Sequence, residues 1–85
     1  MVVVVKVLLF ARARELAGTK EIEGFELPAE PCSVASFLEA MVARFPPLSA
    51  GVDSCSVAVN QEYVGREHVL AAGDEVALLP PISGG

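Results

Sequence analysis

Basic residues are scarce in this sequence. Six Lys and Arg stand against 11 Asp and Glu in 85 residues, a formal net charge of −5. That balance disfavours nucleic acid as a partner, because phosphates demand a basic footprint. It permits steering toward a basic patch on another protein, and it equally serves solubility. Long apolar runs are missing too. The opening Val2–Val5 stretch is cut by Lys6, and nowhere do the roughly 18 consecutive apolar residues of a membrane span occur. That stretch has no basic region ahead of it and no small-residue cleavage site behind it, so neither a membrane nor a secretory leader is expected.

Cysteine is limited to Cys32 and Cys55, with no C-x-x-C pair and no neighbouring His. One disulfide is conceivable, but nothing suggests secretion. Two free thiols in a cytosolic protein are the better expectation, with no sulfur-handling role assigned to them. The lone histidine, His68, has Glu67 as its nearest charged neighbour and reads as a solvated or core-edge residue rather than a metal ligand. There is no Walker-type phosphate loop and no His, Cys or carboxylate cluster at ligand spacing. No bound cofactor and no metal are expected. The chain reads as a substrate or carrier, not as a stand-alone catalyst.

What is present is a small globular domain. Hydrophobic residues make up 53% of the chain, too many for intrinsic disorder. At this length folding buries roughly 60–65% of the unfolded surface, which makes a modest core. Val2–Phe10 is β-branched and apolar without alternation, the pattern of a strand placed centrally or covered on both faces. Ala11–Ala17 suits a short helical turn stopped by Gly18. Lys20–Leu27 reads as a wetter strand, in which Gly24 hints at a bulge. Pro28 and Pro31 bracket a turn, and Ser33 is a natural helix N-cap. Val34, Phe37, Leu38, Met41, Val42 and Phe45 recur at helical spacing, and Pro46–Pro47 end that helix. Ser56–Asn60 is a short strand with Val57 and Val59 on one face. Tyr63–Val64 and Val69–Leu70 suggest further short extended pieces, and Gly73–Asp74 turn into a last strand, Glu75–Leu79.

The order β-β-α-β-(β)-β, with first and last strands as parallel neighbours and one main helix across one face, predicts an α+β, β-grasp (ubiquitin-like) roll with a mixed sheet. Residues 1–79 form the expected domain and residues 80–85 a protruding tail. One helix cannot cover all of Val2–Val5 and Leu78–Leu79, so part of the open sheet face is expected either to meet a partner or to lie under loops.

The closing segment, Pro80-Pro81-Ile82-Ser83-Gly84-Gly85, is the most informative chemically. Proline fixes φ and lacks an N–H, so Pro80 and Pro81 end sheet pairing and make a stiff stem. Gly84 and Gly85 have no Cβ and suit a slot too narrow for side chains. A terminal carboxylate there has a pKa of roughly 3.3–3.7, so it is ionised at neutral pH and a poor electrophile until a partner activates it, for example as an acyl-adenylate from ATP.

Three blocks carry a family resemblance. KVLLFARARELAG, VAVNQEYV and GDEVALLPPISGG occur in that order and resemble the opening, the middle strand and turn, and the terminal motif of the small subunit of molybdopterin synthase. Related thiamine-pathway carriers share the Gly-Gly but usually lack the Pro-Pro ahead of it. The resemblance implies that an E1-like enzyme uses ATP to adenylate the carboxylate of Gly85. A sulfur donor then converts the glycyl adenylate to a thiocarboxylate (1-thioglycine). It implies that Pro80, Pro81, Ile82, Ser83 and Gly84 form a partner-binding tail, inserted into the large synthase subunit of a heterotetramer of two small and two large subunits. There sulfur passes to a cyclic pyranopterin, giving the dithiolene of molybdopterin for molybdenum cofactor biosynthesis. Leu79, Phe10 and Arg12 are candidate partner-surface residues. For Arg12 and Arg14 an ordinary surface role stands level with docking. Two other readings remain in competition: a ubiquitin-like carrier of another pathway or modifier joined to target lysines through Gly85, and a passive binding module.

Overall fold

A computed structural model of the chain describes residues 2–28 and 32–79. Five strands form one mixed sheet in the order β2-β1-β5-β3-β4, where β1 is Val2–Leu9, β2 Glu21–Pro28, β3 Ser56–Val59, β4 Glu62–Val64 and β5 Glu75–Leu79. β1 pairs parallel to β5 and antiparallel to β2, and β3 pairs antiparallel to both β4 and β5. This is the α+β, β-grasp architecture the element order predicts. The apolar β1 is an interior strand, as expected, between β2 and β5, but only one of its faces is covered. Val5, Val7 and Leu9 point into the core, while Val2 and Val4 on the other face are 54% and 40% exposed.

The bulge expected at Gly24 is present. Val5 pairs with Phe25 and Val7 with Ile22, so Glu23 and Gly24 together oppose Lys6. Gly24 has φ 74°, the left-handed region in which glycine carries no Cβ penalty.

Helix α2, Val34–Arg44, lies on the covered face and buries Val34, Phe37, Leu38 and Met41. Phe37 meets Phe25 edge to face, with ring centroids 5.9 Å apart at 80°. The predicted cap is in place, since the Ser33 Oγ accepts from the Ser36 N–H at 3.2 Å. The Val34 and Ala35 N–H groups donate to the carbonyls of His68 and Arg66 at 2.9 and 3.0 Å. Donors that a helix start leaves without intrahelical partners are thus satisfied by a loop.

Two expectations need correction and one needs extension. Phe45 has the helical spacing but is half-buried, packed against the core rather than within it: it is the C-cap, and its φ of −128° and ψ of 79° are no longer helical. Pro46–Pro47 end α2 as expected, but they also start a 3-10 helix, Pro46–Ala50, followed by another at Val52–Ser54. Proline is compatible with a helix start because the N–H it lacks would have no partner there. These 3-10 helices bury Leu48 and Val52. Val69–Leu70 is not a strand; Val69 forms a single bridge with Ser33. The expected turn at Pro31 lies outside the described residues.

Candidate functional site

β5 leads directly into the segment that the sequence marks as chemical. It sits in the middle of the sheet, between β1 and β3. Leu78 pairs with Leu9 on one side and Val57 on the other, and Leu79 pairs with Ser56. Beyond Leu9 the Phe10 N–H still donates to the Leu78 carbonyl at 3.2 Å. The end of β5 is therefore held from both sides up to the last described residues. Pro80, Pro81, Ile82, Ser83, Gly84 and Gly85 lie outside the described residues.

The far end of β5 is held by side chains that sequence reading missed. The Asn60 Oδ1 accepts from the Glu75 N–H at 3.0 Å, and the Asn60 backbone N–H donates to the Glu75 carbonyl at 2.8 Å. The Asn60 Nδ2 donates to Asp74 Oδ1 at 3.0 Å, and the other Asp74 oxygen accepts from the Ala71 N–H at 2.8 Å. Asn60 and Gln61 form the two-residue connection between β3 and β4, and both have positive φ, 51° and 71°. A two-residue hairpin with left-handed central residues matches the strand twist, and asparagine tolerates that conformation. Asn60 in a short gap between two apolar runs was the available signal.

The open face of the sheet carries an apolar depression beside the end of β5. Leu8, Phe10, Ala58, Tyr63, Ala77 and Leu79 line a concavity of about 300 Å³, with Gln61 and Glu75 at its polar side. Phe10 is 44% and Tyr63 66% exposed, large apolar surface for a monomer to leave in water. Two of the three expected partner-surface residues, Phe10 and Leu79, thus meet in one hollow. Arg12 does not join them. It lies on helix α1, Ala11–Ala17, and pairs with Glu15 at 3.8 Å. The strand residues behind this hollow belong to the core on their other face, so it is anchored on rigid elements.

Both cysteines are free and buried. Burial pushes the Cys32 thiol above its ordinary value, and the Asp74 carboxylate adds to the rise. Burial also raises Cys55, partly opposed by Arg66, and the Cys55 Sγ–H donates to the Gly51 carbonyl at 3.4 Å. Neutral, buried thiols of this kind are poor nucleophiles. His68 is exposed, and its backbone carbonyl, rather than its ring, makes the structural contact to α2. Among the described residues no cluster of three or more His, Cys, Asp or Glu is arranged to hold a metal ion, and no helix is long and apolar enough to cross a membrane.

The site therefore combines a central strand pinned at both ends and an apolar hollow on the open face. Known proteins share this fold. The ThiS family model matches residues 7–85. The chain is 42% identical over 83 residues to the molybdopterin synthase sulfur carrier subunit of Chlamydomonas reinhardtii, covering 95% of this chain and 98% of that one. Among solved structures, a putative molybdopterin converting factor subunit 1 from Pyrococcus furiosus aligns with TM-score 0.83 at 38% identity, over 94% of this chain and 99% of that one. SAMP1 from Haloferax volcanii, a small archaeal modifier protein, aligns with TM-score 0.78 at 32% identity, over 95% and 98%. The chain belongs to the ThiS family, as a ubiquitin-like β-grasp protein of the molybdopterin synthase sulfur carrier type.

Proposed function

We propose that this protein is the sulfur carrier subunit of a molybdopterin synthase and that its working group is the carboxylate of Gly85. The observation that carries this reading is the terminal block GDEVALLPPISGG, within a family match that runs through residue 85. The β-grasp domain, residues 1–79, presents residues 80–85 from the end of β5. An E1-like partner, using ATP, adenylates the Gly85 carboxylate, and a sulfur donor converts the adenylate to a thiocarboxylate. The tail from Pro80 to Gly84 then seats in the large synthase subunit, in an assembly of two small and two large subunits in the cytosol. There the thiocarboxylate gives up its sulfur to cyclic pyranopterin monophosphate, one sulfur per carrier and two per dithiolene. The chain supplies the sulfur-bearing atom and a docking surface, and its partners supply the catalysis. The hollow of Phe10, Tyr63 and Leu79 supports this division, since it is apolar, rigid and beside the strand that leads to the tail.

A second reading is favoured by the likeness to the modifier SAMP1: the same activated carboxylate would form an isopeptide with a lysine of a target protein. Intact-mass measurement separates the two. The chain is incubated with ATP, the activating enzyme, a persulfide donor and a thiol that reduces the acyl disulfide formed when the persulfide displaces AMP. Carrier function gives exchange of one oxygen for sulfur at the carboxyl group of Gly85, and modifier function gives ladders of larger conjugates in lysate. An unchanged mass with a competent activating enzyme defeats both.

A further inference from the structure

The acidic balance of this chain is not evenly spread. Residues 12–20 hold three cations, Arg12, Arg14 and Lys20, against the single carboxylate of Glu15, a local charge of +2. The other three cations share the rest of the chain with ten carboxylates, a charge of −7. The fold then places the positive segment at a particular end of the sheet. The Leu9 N–H donates to the Lys20 carbonyl at 2.9 Å, Leu9 pairs with Leu78, and the Phe10 N–H donates to the Leu78 carbonyl. Helix α1 and the turn after it therefore flank the end of β5 from which residues 80–85 continue.

Within that segment the cations are available. Arg14 and Lys20 make no ion pair among the described residues, and with Glu15, Gly18 and Thr19 they line a shallow depression of about 340 Å³. Arg12 meets Glu15 at 3.8 Å with both side chains about 70% exposed, a contact that water screens strongly. The carboxylate nearest along the chain beyond the turn, Glu21, is met by Lys6 at 3.9 Å. Arg14 lies in the last turn of α1, where a cation also suits the helix carbonyls. That purely structural role would register in stability and not in association.

We propose that residues 12–20 are the positive pole of a bipolar molecule and an electrostatic docking surface. They turn the tail end of β5 toward an acidic protein surface around the cleft that receives the tail. The inference rests on the reading that residues 80–85 seat in a synthase partner, and it adds the chemistry of that partner's rim. An acidic rim attracts the +2 segment, whose charge exceeds that of the single terminal carboxylate carried by the tail, and repels the −7 remainder, so it both speeds encounter and selects the tail-first orientation.

Stopped-flow association of the full chain with the purified large synthase subunit, from low to physiological ionic strength, tests this. The expected result is that Arg14→Glu/Lys20→Glu associates about tenfold or more slowly at low salt, with a flatter salt dependence and an unchanged dissociation rate. The comparison variant Arg44→Glu/Arg66→Glu changes the net charge equally at sites outside the segment, and it is expected to slow association far less. Melting of each variant separates misfolding from lost attraction; if the double reversal is unfolded, Arg14→Gln/Lys20→Gln takes its place. Association as fast as that of the native chain, faster association, or equal slowing by the two double variants overturns the proposal. If the native chain does not associate with the large subunit, the synthase reading itself fails and this inference falls with it; native binding with an indifferent variant defeats the inference alone.

Discussion

Asn60 and Asp74 clasp the start of β5, with the Asn60 carboxamide donating to an Asp74 oxygen at 3.0 Å while its own oxygen accepts from the neighbouring Glu75 N–H. The β3–β4 hairpin is thereby tied to the strand that leads to the tail, and the register Val59↔Val76 is fixed at its entrance.

Replacing Asn60 with Ala removes two side-chain hydrogen bonds and puts a β-carbon without compensating polarity at φ 51°. Each exposed bond is worth about 0.5–1.5 kcal/mol, and the left-handed position adds up to about 1 kcal/mol. The expected loss is about 2 kcal/mol in denaturant unfolding. Asn60→Gly keeps the backbone at ease and should lose about 1 kcal/mol less. Equal losses for the two variants would mean that φ at residue 60 contributes nothing.

The hollow on the open face predicts a separation of binding from folding. Phe10 is 44% exposed and outside the core, so Phe10→Ala should change stability by about 1 kcal/mol or less. If the face docks partners, the same change should weaken binding to the large subunit by about 1–3 kcal/mol, as truncation of an aromatic anchor does. Titration calorimetry checks this. Native affinity in the variant would remove Phe10 from the docking surface.

Much of this was legible in the sequence, for reasons particular residues make plain. The six-residue apolar stripe marks α2, Ser33 marks its start, and Gly24 marks the bulge, because each rests on local backbone physics. The central place of β1 follows from its uninterrupted valines. The misreadings share one cause, that tertiary contacts decide them. Phe45 has helical spacing but leaves the helix at the cap, where its ring lies 5.6 Å from the Arg44 guanidinium carbon. Pro46–Pro47 read as a stop, while Leu48 and Val52 still had apolar surface to bury, which the two 3-10 helices achieve. The Asn60–Asp74 clasp spans 14 positions, and no local pattern reports it. The candidate working group was legible as a motif alone, since it lies outside the described residues.

The thiols give a pH dependence of definite sign. Cys32 and Cys55 hold their protons above the ordinary value of 9.0 in the folded chain because burial disfavours the thiolate. A pKa raised by folding contributes stability that is fully present below 9.0. That contribution is lost as pH rises through the native values, where the unfolded chain ionises first. Native protein should therefore lose stability above pH 9, and Cys32→Ala/Cys55→Ala should lose less over the same range. The double variant, if folded, should still form the thiocarboxylate, because the sulfur is carried on Gly85. Loss of sulfur loading in a folded double variant would return the cysteines to the mechanism.

The tail carries the most exacting prediction. If the Gly85 carboxylate is the group that is activated, one residue added after Gly85 replaces it with an amide and should abolish thiocarboxylate formation, leaving the melting transition unchanged. Deleting Gly85 should act similarly, since a terminus at Gly84 stops about 3.5 Å short of the activating site. Gly84→Phe tests the slot rather than the group. A bulky side chain should block a channel that admits only bare backbone, and the melting transition should stay unchanged, as is usual for substitutions at the ends of a chain. The three variants together distinguish chemistry from access, because only the extension keeps both glycines and their reach. The assay is thiocarboxylate formation with ATP, activating enzyme and sulfur donor, followed by molybdopterin production with the large subunit. Sulfur delivery by an extended chain, with intact mass showing that the added residue is still in place, would refute the assignment of Gly85 as the carrier atom's site.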